Sequence, residues 1–251
     1  MDREGRTIAV VGATGLQGGA VTRRLTRGRV AGRGSDPQSR RLSSPRARCA
    51  GRRGGQGRLE NKAALERSFA GAHGVYSVQN HHISGYDGEI RQGKNVADAV
   101  VAANVSHLVY ASTGNGLAGT GIGSWDAKVA VAEHARSLGA PLTVLRPTAF
   151  MELMTEKRFY PQASVWHVTP KVMGETRPIG WLTVDDLAVI AEKAFADPAT
   201  FVGTDVSLAG DILSIQQCRT IWQEVKGRPP RRATGGLRAG AAPPRPSRRP
   251  R

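Results

Sequence analysis

The sequence predicts an α/β fold, in which a doubly wound, mostly parallel sheet is followed by a small C-terminal lobe. Two observations carry this prediction. Residues 8–18 form an apolar, β-branched run that ends in a glycine-rich turn, and strand-length apolar segments then alternate with segments of helical spacing. A chain of 251 residues is also long enough for one such domain with a sizeable core.

The turn after the first strand holds three evenly spaced glycines, Gly12, Gly15 and Gly18. Gly12 supplies the backbone freedom of a tight turn, and a helix is expected from Leu16 to about Arg27. Gly15 would let the backbone approach a phosphate closely, and Gly18 would let helix and strand pack tightly. An ordinary glycine turn is the alternative. The strand before the turn and the helix after it favour a pyrophosphate site at the helix N-terminus, as in dinucleotide-binding folds.

The later elements are predicted from periodicity and from turn and cap residues. In chain order we expect a helix capped by Asn61 and ending at Gly71, a strand at 75–78, a loop at 79–82, a helix at 87–103, a strand at 107–111, a helix at 125–138, a strand at 142–145, a strand at 181–184, a helix at 185–195, a strand at 206–208 and a helix at 215–225.

Residues 148–180 are less regular and carry aromatic and methionine side chains, which suits a small substrate lobe over roughly 148–226. Plain core packing explains any single one of these side chains equally well. From residue 227 the composition is Pro, Arg, Gly and Ala, which predicts a disordered basic tail over 227–251.

The net charge of +16 is concentrated in two stretches. Residues 23–58 hold 12 arginines and one acid, and residues 226–251 hold one lysine, eight arginines and no acid. Neither stretch contains an aromatic residue, whereas nucleic-acid-binding surfaces usually interleave basic and aromatic side chains. The charge pattern therefore argues against a nucleic-acid partner.

The remaining composition points to a protein of a reducing compartment. Cys49 and Cys218 give neither a disulfide framework nor the spacing of metal ligands. The N-terminus is charged on both signs, which argues against a signal peptide, and no apolar run approaches the roughly 20 residues that cross a bilayer. We expect a cytoplasmic protein with no membrane partner.

The segment at 29–58 interrupts the pattern, because no run within it is apolar enough for a buried strand. We therefore expect the second strand of the sheet to be disrupted. The segment shares its Arg, Gly, Pro, Ala and Ser composition with residues 233–251, and these residues have GC-rich codons. Both stretches are predicted to be out-of-frame translation of a GC-rich gene.

Five further segments accompany the glycine turn, at residues 69–75, 107–112, 128–133, 143–152 and 184–188. The string Leu-Arg-Pro-Thr-x-Phe-Met-Glu at 145–152 is the most specific of them. Together with the opening motif, these segments span most of residues 7–226. In their residues and in their order along the chain they resemble the NmrA-like family of atypical short-chain dehydrogenases/reductases. That family includes quinone and triphenylmethane reductases and non-catalytic redox sensors.

The resemblance implies a NAD(P)-binding Rossmann domain over residues 1–226, with NADP as the cofactor and NAD as the alternative. It also implies a catalytic role for Lys128, which would hold the nicotinamide ribose or orient the substrate carbonyl. A solvated helix lysine is the alternative for this residue. The implied cofactor contacts lie in the glycine turn and at strand ends, namely Gly12, Thr14, Gly15, Leu16, Gln17, Gly18, Val78, Gln79, Lys128, Pro147 and Phe150.

One departure from the reductase pattern bears on catalysis. Short-chain reductases carry a tyrosine four residues before the lysine as proton donor, and Ser124 stands at that position here. The resemblance leaves two functions open. One is an NAD(P)H-dependent oxidoreductase acting on a quinone-like or conjugated small molecule, whose reduced anion needs no strong acid. The other is a non-catalytic redox sensor that acts through a protein partner.

Two pairs of polar residues have both a functional and a structural interpretation. His81 and His82 follow a strand at the carboxyl edge of the sheet and could line a ligand cleft, or could simply be exposed on a loop. Asp185 and Asp186 could act as paired catalytic carboxylates, but their place at the start of a helix favours capping.

Overall fold

Two sheets form the frame of the protein. The computed structural model describes residues 6–27, 46–50, 59–156 and 164–230, with residues 46–50 described by their backbone alone. Among these residues the larger sheet has six parallel strands, in the spatial order 46–50, 7–11, 74–77, 107–111, 142–147 and 205–208. The smaller sheet has three strands, in the order 149–150, 179–182 and 211–213. The predicted α/β class with a mostly parallel, doubly wound sheet is therefore confirmed.

The elements alternate between strand and helix along most of the described chain. They are β1 (Thr7–Val11), α1 (Leu16–Arg27), β2 (Arg46–Ala50), α2 (Lys62–Phe69), β3 (Gly74–Ser77), α3 (His81–Ala102), β4 (His107–Ala111), α4 (Gly123–Ser137), β5 (Leu142–Pro147), β6 (Ala149–Phe150), α5 (Glu152–Thr155), α6 (Thr169–Met173), β7 (Ile179–Leu182), α7 (Val184–Ala196), α8 (Pro198–Phe201), β8 (Asp205–Leu208), β9 (Asp211–Leu213) and α9 (Ile215–Lys226).

Most predicted elements occur within a few residues of their expected bounds. The predicted cap of α2 is confirmed, because the Asn61 side chain accepts a hydrogen bond of 2.9 Å from the Ala64 N–H. At the start of α7 the capping residue is Thr183, whose hydroxyl accepts from the Asp186 N–H. Asp185 and Asp186 lie in the first turn of that helix, where the positive end of the helix dipole stabilises negatively charged carboxylates.

The expectation that residues 29–58 contain no second strand is wrong for residues 46–50. There, β2 pairs in parallel with β1 over five residues, from Thr7 opposite Arg46 to Val11 opposite Ala50. Parallel pairing is made by backbone groups, so a strand at the end of the strand order can form without an apolar run. The rest of the segment predicted to be out of frame, and the tail from residue 231, lie outside the described residues.

The predicted loop at 79–82 is also partly wrong, because His81 and His82 open helix α3. The Asn80 side chain caps the first turn by accepting from the His82 N–H at 2.9 Å. Gly85 then breaks the helical geometry with φ 71° and ψ 172°, which only glycine adopts readily. The first turn is therefore set at an angle to the long helical segment after it, and this kink was not anticipated.

Four strands of the parallel sheet, β1, β3, β4 and β5, are buried on both faces. Alternate residues such as Ala9, Val75 and Tyr110 join the core beneath α2, α3 and α4. The intervening residues face the other side, where the Phe195 ring lies beside Gly74 and stacks edge-on against His107. Burial of both faces explains why the strands read as continuous apolar runs.

The chain divides into two compact units. The first comprises residues 1–152 and 178–213, and it contains both sheets. The second comprises residues 153–177 and 214–251. Within the second unit, Ser214 and Gln217 form a reciprocal capping box at α9, and the Trp166 and Trp222 rings meet edge to face at 5.4 Å. Phe159 and Tyr160 of the predicted lobe lie outside the described residues.

Candidate functional site

The glycine turn between β1 and α1 has the close packing that its sequence predicted. Gly12 has φ +74°, and a Cβ there would lie 2.9 Å from a methyl carbon of Val78. A Cβ on Gly18 would lie 2.3 Å from the Gly12 carbonyl oxygen, which no side chain could tolerate. Gly15 is different, because its added Cβ would approach the Gly12 oxygen only to 3.3 Å and its surface is exposed. Gly12 and Gly18 thus serve the packing, and Gly15 leaves an open approach to the helix.

Helix α1 presents its N-terminus at this opening. Its first turn contains no acidic residue, so nothing in that turn neutralises the positive end of the helix dipole. The Gly15 N–H is already used, since it donates to the Gly12 oxygen at 2.9 Å. Thr14 is exposed and Leu16 half-buried at the mouth of the turn, and the Gln17 Oε1 is buried without a hydrogen-bond partner among the described residues. An accessible helix N-terminus of this kind binds phosphate groups in dinucleotide-binding folds.

A second unsatisfied group lies at the end of β3, directly beside the turn. Gln79 is 5% exposed, and its Nε2 donates to the Ser77 hydroxyl at 2.8 Å. Its Oε1 has no hydrogen-bond partner among the described residues. Buried polar atoms normally find partners, so this oxygen marks a place where a ligand donor would fit. Val78 packs against Gly12, which brings three of the predicted cofactor residues together.

Lys128 on α4 is buried at the carboxyl edge of the sheet, so its interpretation as a solvated helix lysine is wrong. The ammonium lies 2.7 Å from Glu89 Oε1 and 3.4 Å from each of two backbone oxygens, those of Gln79 and Ala111. It also lies 5.8 Å from the centre of the Tyr110 ring. The carbonyl groups that end β3 and β4 therefore help to hold a cation beside the predicted cofactor contact Gln79.

Glu89 on α3 is the partner of Lys128, and sequence reasoning missed it. Its side chain is fully buried, and Oε2 accepts no well-formed hydrogen bond from the described residues. The His81 Nδ1 lies 3.3 Å from this oxygen. Glu89 lies seven residues before the buried Val96 on one helix face, so the helical period could have marked it as a buried carboxylate.

His81 lies between this buried pair and the solvent. Its side chain is 22% exposed, and its ring stacks on the Tyr86 ring with centroids 4.9 Å apart. Burial lowers the pKa of His81, and the charges of His82 and Lys128 lower it further, while the Glu89 carboxylate raises it. Of the two interpretations of the histidine pair, His81 fits the cleft and the side chain of His82 is largely exposed.

The loop before α4 is fixed by one carboxylate. Asp126 accepts hydrogen bonds from the Thr120 N–H at 2.9 Å, the Thr120 hydroxyl at 2.8 Å and the Gly121 N–H at 3.1 Å. These bonds lower the pKa of Asp126. They also fix the start of α4, where Ser124 lies one helical turn before Lys128. Position 124 therefore carries a hydroxyl in place of the tyrosine of the reductase pattern.

Two predicted cofactor residues lie farther along the fold. Pro147 ends β5 and pairs with Leu208 of β8, at the same carboxyl edge as the ends of β3 and β4. Phe150 lies in β6, a strand of the smaller sheet, and pairs with Leu182. Both residues are buried, and their roles toward a cofactor remain predictions.

The described residues contain no group of three His, Cys, Asp or Glu side chains that could hold a metal ion. In the same ranges, no helix is both long enough and apolar enough to cross a membrane. The groups assembled at the candidate site are the glycine turn and the Lys128–Glu89–His81 cluster.

Comparison with known proteins gives a consistent result. The family model described as the NmrA-like family matches residues 4–236. A curated relative, the NmrA-like family domain-containing oxidoreductase lnaB of Aspergillus flavus, is 27% identical over 257 aligned residues, covering 90% of this chain and 75% of the relative.

Solved structures share the fold at lower identity. NmrA, a negative transcriptional regulator solved in complex with NAD, superposes with a TM-score of 0.70 at 23% identity, covering 90% of this chain and 73% of NmrA. The triphenylmethane reductase of Citrobacter sp., complexed with NADP(H), gives a TM-score of 0.63 at 19% identity, covering 89% of this chain and 77% of the reductase. At these identities the likeness shows the fold alone, and it includes both a regulator and an enzyme.

Proposed function

The chain belongs to the NmrA-like family, and we propose that it is an NAD(P)H-dependent oxidoreductase that transfers hydride to a quinone-like or other conjugated small molecule. NADP is the proposed cofactor, with NAD as the alternative. A curated relative is named an oxidoreductase, and solved structures of this fold were crystallised with NAD and NADP(H), which supports the proposal.

The residues present fit such a cofactor. The diphosphate would lie over the glycine turn, where Gly15 leaves open space and the α1 N-terminus supplies donors. The unpaired oxygens of Gln17 and Gln79 would accept from the ligand. Leu16, Thr14 and Val78 would line the same opening, while Pro147 and Phe150 would contact the cofactor farther along the sheet edge.

One observation carries the catalytic part of this proposal: a buried lysine, paired with a buried glutamate, at the sheet edge where ligands bind in open α/β folds. A buried pair of charges is costly and adds little stability by itself. Its position beside Gln79, next to the glycine turn, suits a group that orients an acceptor and donates a proton. Lys128 is therefore the proposed catalytic residue.

The choice of acceptor follows from the chemistry at hand. When bound, the reduced cofactor supplies the hydride, and the protein supplies position and a dry site. The Ser124 hydroxyl is too weak an acid to replace the missing tyrosine. A conjugated acceptor gives a delocalised anion after hydride addition, so a lysine ammonium suffices to protonate it.

A non-catalytic redox sensor acting through a protein partner is the second candidate. The serine at position 124 favours it, since the usual proton donor is absent. The fold match to a transcriptional regulator supports it as well. Both candidates bind the same cofactor, but only the oxidoreductase would oxidise it with an acceptor.

A single pair of measurements separates the two candidates. NADPH and NADH binding to the full chain are measured by titration calorimetry, and NADPH oxidation is then followed with menadione, a benzoquinone series and a triphenylmethane dye. Acceptor-dependent oxidation supports the oxidoreductase. Tight binding without oxidation across the whole panel supports the sensor, and absence of binding to either nucleotide contradicts both.

A further inference from the structure

The structure joins three titratable side chains in a line from the sheet edge toward solvent. Lys128 Nζ contacts one oxygen of Glu89, and His81 Nδ1 lies 3.3 Å from the other. The Glu89 side chain is fully buried, whereas the His81 side chain is 22% exposed to solvent. Glu89 therefore joins the ammonium to a partly exposed base.

The cluster is unusual for a structural ion pair because one of its oxygens is left over. Glu89 Oε2 is buried and accepts no well-formed hydrogen bond from the described residues, although a buried carboxylate oxygen normally has a partner. Its titratable neighbour is the His81 Nδ1, 3.3 Å away, and Glu89 already acts on that ring by raising its pKa. The site thus holds an acceptor oxygen within reach of a titrating group.

We propose that His81 and Glu89 form a proton relay that returns to Lys128 the proton it gives to a reduced acceptor, in place of the tyrosine missing at position 124. This inference rests on the proposed oxidoreductase function and assigns new roles to two residues. Glu89 and His81 act through Lys128 and do not touch the acceptor.

The proton balance of the relay is simple. An acceptor carbon receives hydride, with its two electrons, from reduced nicotinamide, and the acceptor oxygen takes a proton as one N–H bond of Lys128 breaks. His81 then takes a proton from solvent and becomes an imidazolium. Its Nδ1 passes a proton to Glu89 Oε2, the carboxyl group turns, and the neutral amine of Lys128 regains that proton, which leaves His81 neutral and Glu89 charged again. The net reaction consumes one solvent proton, and the acceptor gains two electrons and two hydrogens.

The electrostatics of the cluster couple these steps. While Lys128 is charged, its field opposes a second positive charge on His81, together with burial and the charge of His82. Once the ammonium has lost its proton, that opposition is gone and the attraction of the Glu89 carboxylate remains, so the pKa of His81 rises. Protonation of His81 is therefore favoured at the moment the relay needs it.

The other groups that face the cluster leave this coupling in place. Tyr110 lies beneath Lys128, and burial, together with the Glu89 charge, holds its pKa well above its usual value, so the phenol stays neutral. Tyr86 stacks on His81 from the solvent side, and its ring is half exposed. Besides these two tyrosines, the titratable groups that act on His81 among the described residues are His82, Glu89 and Lys128.

The first test needs neither cofactor nor acceptor. The full chain, labelled with 15N and 13C in lysine and histidine, is titrated by NMR as wild type, Lys128→Met and Glu89→Gln. The relay requires the pKa of His81 to rise by at least about half a unit in Lys128→Met and to fall in Glu89→Gln. An unchanged His81 titration in both variants overturns the inference.

The second test measures turnover with NADPH and menadione. His81→Asn keeps an N–H donor near the Nδ1 position but cannot titrate, so kcat should fall at least about tenfold with KM unchanged, and added imidazole should restore part of the rate. The same substitution at His134, which pairs with Asp98 at 2.6 Å elsewhere on α4, is the control and should leave kcat within about twofold. Full activity of His81→Asn overturns the relay. If the wild type is inactive with every acceptor, the proposed function fails, and the NMR titration alone decides whether the three groups are coupled.

Discussion

His107 and Thr143 are joined by a 2.8 Å hydrogen bond between Nε2 and Oγ1, buried between the neighbouring strands β4 and β5. The Thr143 hydroxyl donates its own hydrogen to the Phe201 carbonyl oxygen at 2.7 Å, so toward the imidazole it can only accept a hydrogen bond. The proton of neutral His107 therefore sits on Nε2, and Nδ1 is buried with no partner among the described residues. The core is built around an uncharged histidine.

This pair predicts a loss of stability in mild acid. Burial lowers the pKa of His107 from 6.5 to about 4, with a smaller contribution from the nearby His73 charge. Between these values the unfolded chain binds a proton that the folded chain excludes, so stability falls as the pH falls. From pH 7 to pH 5 the loss from this residue is about 2 kcal/mol, measurable as a decrease in the free energy of unfolding in urea.

The control is His107→Gln, because glutamine can keep an N–H donor toward Thr143 but does not titrate. It should be less stable than the wild type at pH 7 and should lose about 2 kcal/mol less on going to pH 5. Equal pH dependence of the two proteins would show that His107 is not the group responsible.

The glycine turn predicts opposite outcomes at two neighbouring glycines. Gly15→Val should leave the fold intact, because a Cβ there meets only the Gly12 oxygen at 3.3 Å, but should block backbone approach to the cofactor diphosphate. We expect NADPH affinity to fall by about two orders of magnitude in titration calorimetry, with an unchanged circular dichroism spectrum. An unchanged NADPH affinity in Gly15→Val would contradict a dinucleotide site at this turn.

Gly18→Ala is the matched structural control for this prediction. Its Cβ would lie 2.3 Å from a backbone oxygen, so the turn itself must shift. We expect a loss of about 1–3 kcal/mol in the free energy of unfolding, typical of overpacking. A stable Gly18→Ala protein with normal NADPH binding would show that the turn is looser than described.

Lys128→Ala tests the proposed catalytic residue. Loss of the ammonium should lower kcat with menadione by about two orders of magnitude, because the acceptor anion loses its proton source. NADPH affinity should change modestly, since the glycine turn is untouched. The comparison is a Lys62→Ala protein, whose lysine pairs with Asp98 on the surface. An alanine variant at 128 with full activity would show that the buried lysine has no part in turnover.

The sequence predicted the elements that are held by local signals. Periodicity and capping residues placed α2 and β4 correctly, and the glycine spacing predicted the packing at Gly18. The strand at 46–50 was not predicted, because it is held by backbone pairing with β1 and its sequence has no apolar pattern. At the site, Lys128 was found through a family motif. Glu89 belongs to no motif and is far away in sequence, so only the fold could bring it to Lys128.

The two arginine-rich stretches make a prediction about the gene. If they are out-of-frame translation, another reading frame across the codons for residues 29–58 should encode an apolar strand that ends near a basic residue. Sequencing the coding DNA checks this directly. If no frame yields such a strand, the segment is a true basic insertion, and β2 is its native contribution to the sheet.

The Lys128–Glu89 pair predicts strong coupling in stability as well. In Lys128→Met the buried carboxylate must remain charged without its partner or take up a proton, and either outcome should cost about 3 kcal/mol or more. Adding Glu89→Gln removes that charge, so the double variant should be more stable than Lys128→Met alone, with a coupling energy above about 1 kcal/mol. Urea unfolding of the wild type, both single variants and the double variant at pH 7.5 gives this energy. The exposed pair of Arg23 and Asp185, 3.4 Å apart, is the reference, and the same cycle there should give less than about 1 kcal/mol. Equal coupling energies in the two cycles would mean that Glu89 behaves as a solvated carboxylate. That result would contradict its proposed role of holding Lys128 and returning a proton to it.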